Sequence, residues 1–416
     1  MKRRGQAHAI SSDVRFRHPA FHSLDGKLAS PSQAALSFQR RSIGMGSAPH
    51  PLHFKQELAM NEHHSLRLLI SLAATVLLVA PTVNADGLPG VDRGVTAAQI
   101  TAARDRGLDW LVAAQREDGS WGSGGFRGSA AVTAQGLLAL LGSGSTPRAG
   151  PHALAAGRAV DFLLACCQAD GLIAGNEAAA HGPMYGHAFA TLALAECLGE
   201  QSARELRPQL VAAAELLERS QAADGGWRYQ PRPQEGDVSV TAAVLVAIRA
   251  LAVASIEVDQ AKAERAVGFL KQLQNEDGGF RYLANPGPGA PPRTAAALFA
   301  LQLAGVRGAV IERGFAWLDQ QPLTEGSDDG YRMYGLAYAA AARWQLRLAT
   351  GDTATWDAWF AGVVPPLLAE QQADGSWADP SCREYGTAAA VSVLQTPAGL
   401  LPIVAAEGEA AGAAGQ

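Results

Sequence analysis

Few residues in this chain have the type and spacing for chemistry. Asp237, in Asp237-Val238-Ser239-Val240-Thr241-Ala242, is a carboxyl followed by one hydroxyl and an otherwise small, apolar stretch. An acid so placed can act as a general base or polar anchor in a cavity, or as the anion that caps a helix N-terminus. His187 is the other candidate acid–base group. Two segments share an opening, Met184-Tyr185-Gly186-His187-Ala188-Phe189 and Met333-Tyr334-Gly335-Leu336-Ala337-Tyr338. If both face inward, Tyr185, Tyr334 and Tyr338 line an apolar cavity and contact a ligand; if not, they close the core with their hydroxyls at the loops. Arg293, Arg332 and Tyr385 complete the candidate ligand-binding set, while Arg332, Arg383 and Glu384 either receive an anionic group or pair with one another. His181 and His187 are separated by Gly and Pro and have no Asp-x-Cys or His-Glu-x-x-His beside them, so neither a metal nor a cofactor is expected.

The elements that must position these residues form a repeat. An Asp-Gly pair recurs with its aspartate at 118, 170, 224, 277, 329 and 374, in steps of 52, 54, 53, 52 and 45 residues. Before each pair the sequence is amphipathic at helical spacing, as in 263–273, and after it small and apolar on all sides, as in Thr294–Leu301 and Thr387–Leu394. The first helix of each unit belongs outside and the second inside. Glycine after each aspartate permits the positive φ expected to end the outer helix, and the aromatic two residues on pins the loop. An open solenoid needs atypical polar end repeats, yet the first and sixth units carry the fullest signatures. The expected fold is therefore all-α, a closed α/α toroid of six helical hairpins spanning 86–405. The inner-helix starts should meet on one rim, with Thr133, His187, Thr241, Thr294, Leu336 and Thr387 at one level and Asp237, His187, Tyr185 and Tyr334 converging.

Arg106-Gly107-Leu108-Asp109-Trp110-Leu111, followed by Gln115, Gly119 and Trp121, resembles the Gln-Trp repeat of the squalene cyclase and protein prenyltransferase superfamily, the prenyltransferase and squalene-oxidase repeat. The copies span 100–405. In that superfamily these motifs tie helices together, so the resemblance implies fold before activity. Asp237–Ala242 is similar to the Asp-x-Asp-Asp-Thr-Ala segment of terpene cyclases, in which a protonated acid starts a cation cascade. Here Ser239 and Val240 replace the second and third acids. Against the Asp-x-Cys zinc site of prenyltransferases, Ser239 stands where a thiolate is needed. Neither cyclase nor prenyltransferase activity is expected from this segment.

Charge and the N-terminus bound the setting. The first 85 residues hold ten Lys/Arg and four Asp/Glu, so from Asp86 onward the net charge is −11, which disfavours nucleic acid as a partner. Residues 1–59 read as a basic leader that need not be translated. Residues 60–85 read as a signal peptide, with a short apolar run and a Val-Asn-Ala cleavage site before Asp86; a membrane anchor is the alternative, although the run is short for a span. Residues 406–416 read as a flexible tail, and four cysteines are too few for a disulfide scaffold. The expected function is an exported, secreted or periplasmic toroid that binds an apolar, isoprenoid-like small molecule or a protein partner. The alternative is an enzyme on a terpenoid or glycan substrate using Asp237, His187 and a tyrosine; a glycosidase would need two carboxylates facing each other among Asp237, Asp328, Asp329 and Glu384.

Overall fold

Amphipathic and all-apolar segments alternate in space as they do along the chain. The computed structural model describes residues 95–176, 182–198, 203–321, 331–399, 401 and 403. The leader, the signal segment, the tail, His181, Asp328 and Asp329 lie outside them. Twelve α-helices occur among the described residues. The outer ones are α1 (Ala97–Ala114), α3 (Ala153–Ala165), α5 (Ala203–Arg219), α7 (Gln260–Gln272), α9 (Ala309–Asp319) and α11 (Thr353–Ala369). The inner ones are α2 (Ala130–Gly142), α4 (Met184–Glu196), α6 (Val238–Val253), α8 (Pro291–Leu303), α10 (Arg332–Thr350) and α12 (Arg383–Gln395).

Helix type follows from pattern. In α1, Ile100, Ala103, Gly107, Leu108 and Leu111 are buried at three- and four-residue spacing, and Thr96 and Gln99 form a reciprocal capping box at its start. In α6 every residue from Val240 to Ile248 is buried, as a helix surrounded by neighbours requires. Each inner helix packs on the next, from α2 through α4, α6, α8 and α10 to α12, and α12 packs back on α2 and on α1. The all-α toroid is closed.

Its seams repeat one device. The Gln115 side-chain amide donates to the Gly119 carbonyl of its own loop and to the Ala155 carbonyl of the next outer helix, both at 2.9 Å, and its oxygen accepts from Arg158. Gln221 ties to Gly225, Lys262 and Arg265 in the same way, and Gln274 to Gly278, Val310 and Arg313. Gln371 ties to Gly375 and then to Ala103 and Arg106 of α1, so the last repeat grips the first as the internal repeats grip each other. The Asp-Gly glycine is obligatory here: Gly119 and Gly375 have φ of +85° and +96°, and a Cβ on either would strike the carbonyl of Arg158 or Arg106. The glycine does not end the outer helix, as the sequence suggests; α1 stops at Ala114, and the glycine turns the loop beyond it.

Candidate functional site

The threonine register works as one structural unit. Thr133, Thr241, Thr294 and Thr387 each accept, through Oγ1, the backbone N–H of the loop aromatic Trp121, Trp227, Phe280 or Trp377, at 2.9–3.1 Å. In the second repeat His187 takes the same position, and its Nδ1 accepts the Ile173 N–H at 3.1 Å. Accepting at Nδ1 leaves the proton on Nε2, which is buried without a hydrogen-bond partner. Burial first, and Arg219 behind it, push the imidazole down to about 4, against the opposing pull of the Ala213 carbonyl and Asp170. His187 is therefore neutral and wedged beneath the α5 wall. It does not join Tyr185 and Asp237 at the rim: two residues from Tyr185 on one helix, it points roughly 200° away.

The tyrosines do converge. Tyr185 packs on Phe189 with ring centroids 5.7 Å apart and on Tyr229 at 6.2 Å; Tyr334 packs on Tyr338 at 4.7 Å, and Tyr338 on Phe299 at 6.1 Å. The Tyr229 and Tyr282 hydroxyls are hydrogen-bonded to each other. Burial raises the pKa of Tyr185, Tyr334 and Tyr385 well above the ordinary value, and that of Tyr229, Tyr282 and Tyr338 also upward, so all six hydroxyls keep their protons at neutral pH. With Tyr331, which interacts with Tyr229, the chain's seven tyrosines form one interacting group drawn from five repeats. Six of them are half-buried and Tyr331 is exposed. Tyr229 and Tyr282 were not singled out from the sequence, although they follow the loop aromatic with the same Arg-Tyr step, Trp227-Arg228-Tyr229 and Phe280-Arg281-Tyr282.

Asp237 sits beneath this group. It caps α6: Oδ1 accepts the Ser239 and Val240 N–H groups, both at 2.9 Å, while its own N–H donates to the Trp227 carbonyl. Oδ2 is buried without a partner. Burial pushes the carboxyl up to about 6, with the two N–H groups and Arg228 pulling it back and Glu235 adding to the rise. Asp237 in turn raises Tyr185, Tyr229 and Tyr282, while the neighbouring Ser239 hydroxyl pulls Tyr185 back down. The Tyr334 hydroxyl lies in the same group, against Tyr185 and Tyr338.

The candidate arginines are committed elsewhere. Arg293 donates to the Phe280 and Pro288 carbonyls and clamps its own loop. Arg332 pairs with Glu370, Arg383 with Asp374, and Glu384 accepts from Ser123 across the closing seam. No disulfide links the four cysteines, and among the described residues no helix is long and apolar enough to cross a membrane.

Comparisons with known proteins agree with this geometry at the level of fold. Residues 190–339 match the family model of the squalene-hopene cyclase C-terminal domain, and residues 72–212 that of the prenyltransferase alpha-alpha toroid domain. No curated protein matches the chain. Among solved structures, the type II terpene cyclase MstE from Scytonema superposes with a TM-score of 0.50 at 19% identity, over 73% of this chain and all of that one. The GH76A alpha-1,6-mannanase from Salegentibacter sp. HEL1_6 superposes with a TM-score of 0.56 at 11% identity, over 72% of this chain and 99% of that one. With the Gln-Trp ties and ring closure described above, the two family models, each matching part of the chain, and these superpositions give the chain the α/α-toroid fold that squalene-hopene cyclase and prenyltransferase toroid domains share.

Proposed function

We propose that the protein is an exported binding toroid that takes up an apolar, isoprenoid-like ligand at the tyrosine-lined mouth, without cyclase or prenyltransferase turnover. The observation that carries this reading is Asp237 Oδ2, a buried carboxylate oxygen without a hydrogen-bond partner beside the aromatic wall of Tyr185, Tyr229 and Tyr282. Buried polar groups in folded proteins are almost always satisfied, so an orphaned carboxylate oxygen at this site points to a ligand that supplies the missing contact. Phe189 and Phe299, packed against Tyr185 and Tyr338, supply apolar surface there.

The chemistry argues against turnover. Protonating an alkene needs an acid stronger than an ordinary carboxyl, whereas burial makes Asp237 weaker, near 6, with Ser239 and Val240 where neighbouring acids would sharpen it. Transfer through zinc would lack the thiolate that Ser239 displaces. Export rests on the signal-like 60–85 segment; N-terminal sequencing of secreted or periplasmic material should give Asp86.

Titration of the purified protein with geranylgeraniol and with squalene tests the reading. Saturable binding is expected, weakened at least tenfold in Tyr185→Ala and Tyr334→Ala, with no cyclised product. A single cyclised product that vanishes in Asp237→Asn would establish the enzymatic alternative, and absence of saturable binding would remove the apolar-ligand reading.

A further inference from the structure

We infer that the ligand's head group is an organic cation, a substituted ammonium on an apolar chain, seated among the tyrosine rings against the Asp237 carboxylate. This rests on the tyrosine mouth being the ligand site, and it adds which end of the ligand is charged, and with which sign.

Arg228 is paired with Glu235, Arg332 with Glu370 and Arg383 with Asp374, while Arg293 is held by two carbonyls. Asp237 has no such partner. One of its oxygens is satisfied by two backbone N–H groups, and the other faces no donor. The groups that act on it are Tyr185, Tyr229 and Tyr282, all protonated, with Arg228 and Glu235, which pair with each other. At neutral pH Asp237 is therefore a negative charge without an ion-pair partner in aromatic surroundings; the other carboxylate of the group, Asp379 beside Tyr385, is raised by burial, accepts the Ser381 N–H and is drawn back down by Arg332.

Three head groups can be weighed against that site. An anion is repelled by Asp237, and the neighbouring cations are already engaged. A neutral hydroxyl can donate to Oδ2 but leaves the buried charge in place. A substituted ammonium offsets the charge, and its alkylated surface is attracted to the faces of tyrosine rings. The replacement of neighbouring acids by Ser239 and Val240 fits the same reading, because a lone carboxyl stays ionised at neutral pH where a cluster of carboxyls shares protons.

The test is calorimetric titration of the full chain with decyltrimethylammonium, 1-decanol and decyl sulfate, each below its aggregation limit, at pH 8 and pH 5. At pH 8 the ammonium should bind at least tenfold more tightly than decanol, and the sulfate more weakly than both. At pH 5, where Asp237 takes up its proton, the ammonium advantage should shrink severalfold. In Asp237→Asn it should disappear at both pH values while decanol binding persists, which also shows that the variant is folded. If ammonium and decanol bind equally at pH 8, or if the advantage survives in Asp237→Asn, the cation inference fails and the apolar-ligand reading stands. If decyl sulfate binds best, the sign of the head group is wrong. If none of the three binds, the site reading fails and the cation inference with it.

Discussion

Two buried titratable side chains set opposite pH dependences in this protein. His187 has a folded pKa near 4 against an ordinary 6.5, so the unfolded chain takes up its proton first. Its contribution is complete above pH 6.5 and declines as pH falls toward 4, by about 3 kcal/mol. Asp237 has a folded pKa near 6 against an ordinary 3.8, so its contribution is complete below pH 3.8 and declines as pH rises through 6, by a similar ~3 kcal/mol. Between pH 4 and 6 the two slopes oppose. His187→Thr restores the hydroxyl that four other repeats use and should remove about 3 kcal/mol of acid destabilisation relative to the parent between pH 6.5 and 4, as read by urea unfolding. Asp237→Asn keeps a capping side chain without the buried charge, and should gain stability relative to the parent as pH rises from 4 to 7. Equal slopes in parent and variant would remove either assignment. The threonine level was legible from the sequence because its period is strict. His187 falls at that level too, but that it makes the threonine's hydrogen bond was not legible, because this depends on an imidazole nitrogen reaching the N–H that a hydroxyl reaches elsewhere. The loop tyrosines 229 and 282 were hidden for a related reason: only folding brings residues 53 positions apart into hydroxyl contact.

At the level of helices and loops, stability lies in the seams, and one seam is unlike the others described. Where the first, third, fourth and sixth repeats have the bridging glutamine, the second has Cys167, whose Sγ reaches the Leu163 carbonyl of the preceding α3. Where α1, α3, α7 and α9 place arginine against the loop glycine, α5 places Ala212. Ile173 and His187 stand in for the loop aromatic and the threonine, and Arg219, bonded to the Asp170 carbonyl, is the polar tie from α5 into this loop. Glutamine and arginine are lost together, as expected if each is useful only with the other. Cys167→Gln combined with Ala212→Arg should therefore raise stability by about 1–2 kcal/mol, with most of the gain absent from either single change. A thermal-melt double-mutant cycle measures this, and additive single effects would contradict the coupling. The sequence made the helix order legible through six Asp-Gly steps. It misplaced the glycine by several residues, because helix ends are set by which carbonyls the next helix engages, and only the packed seam reveals that.

For the whole molecule, closure is the property on which the rest depends, since it removes the two ends that an arc of hairpins would expose. Closure was argued from the absence of atypical end repeats, and it appears in the structure as the same hydrogen bonds used inside the ring. Gln371→Ala and Gln221→Ala should therefore cost nearly the same, about 2 kcal/mol each, because each leaves two loop and helix carbonyls without their donor. In an open arc Gln371 would be dispensable. Removal of Thr353–Gln416 is the stronger test. It takes away α11 and α12, and with them Trp377 and Val391, which pack on Gly107 of α1, and Gln395, which bonds the Ala139 carbonyl of α2. It also uncovers the face of α10 that packs on α12. Both cut faces are apolar and neither has a polar cap to replace the lost neighbour, so the shortened chain should aggregate or melt without a cooperative transition. A soluble truncation with one sharp transition would mean that five hairpins can stand as an open stack, and that the ring is not the unit of folding.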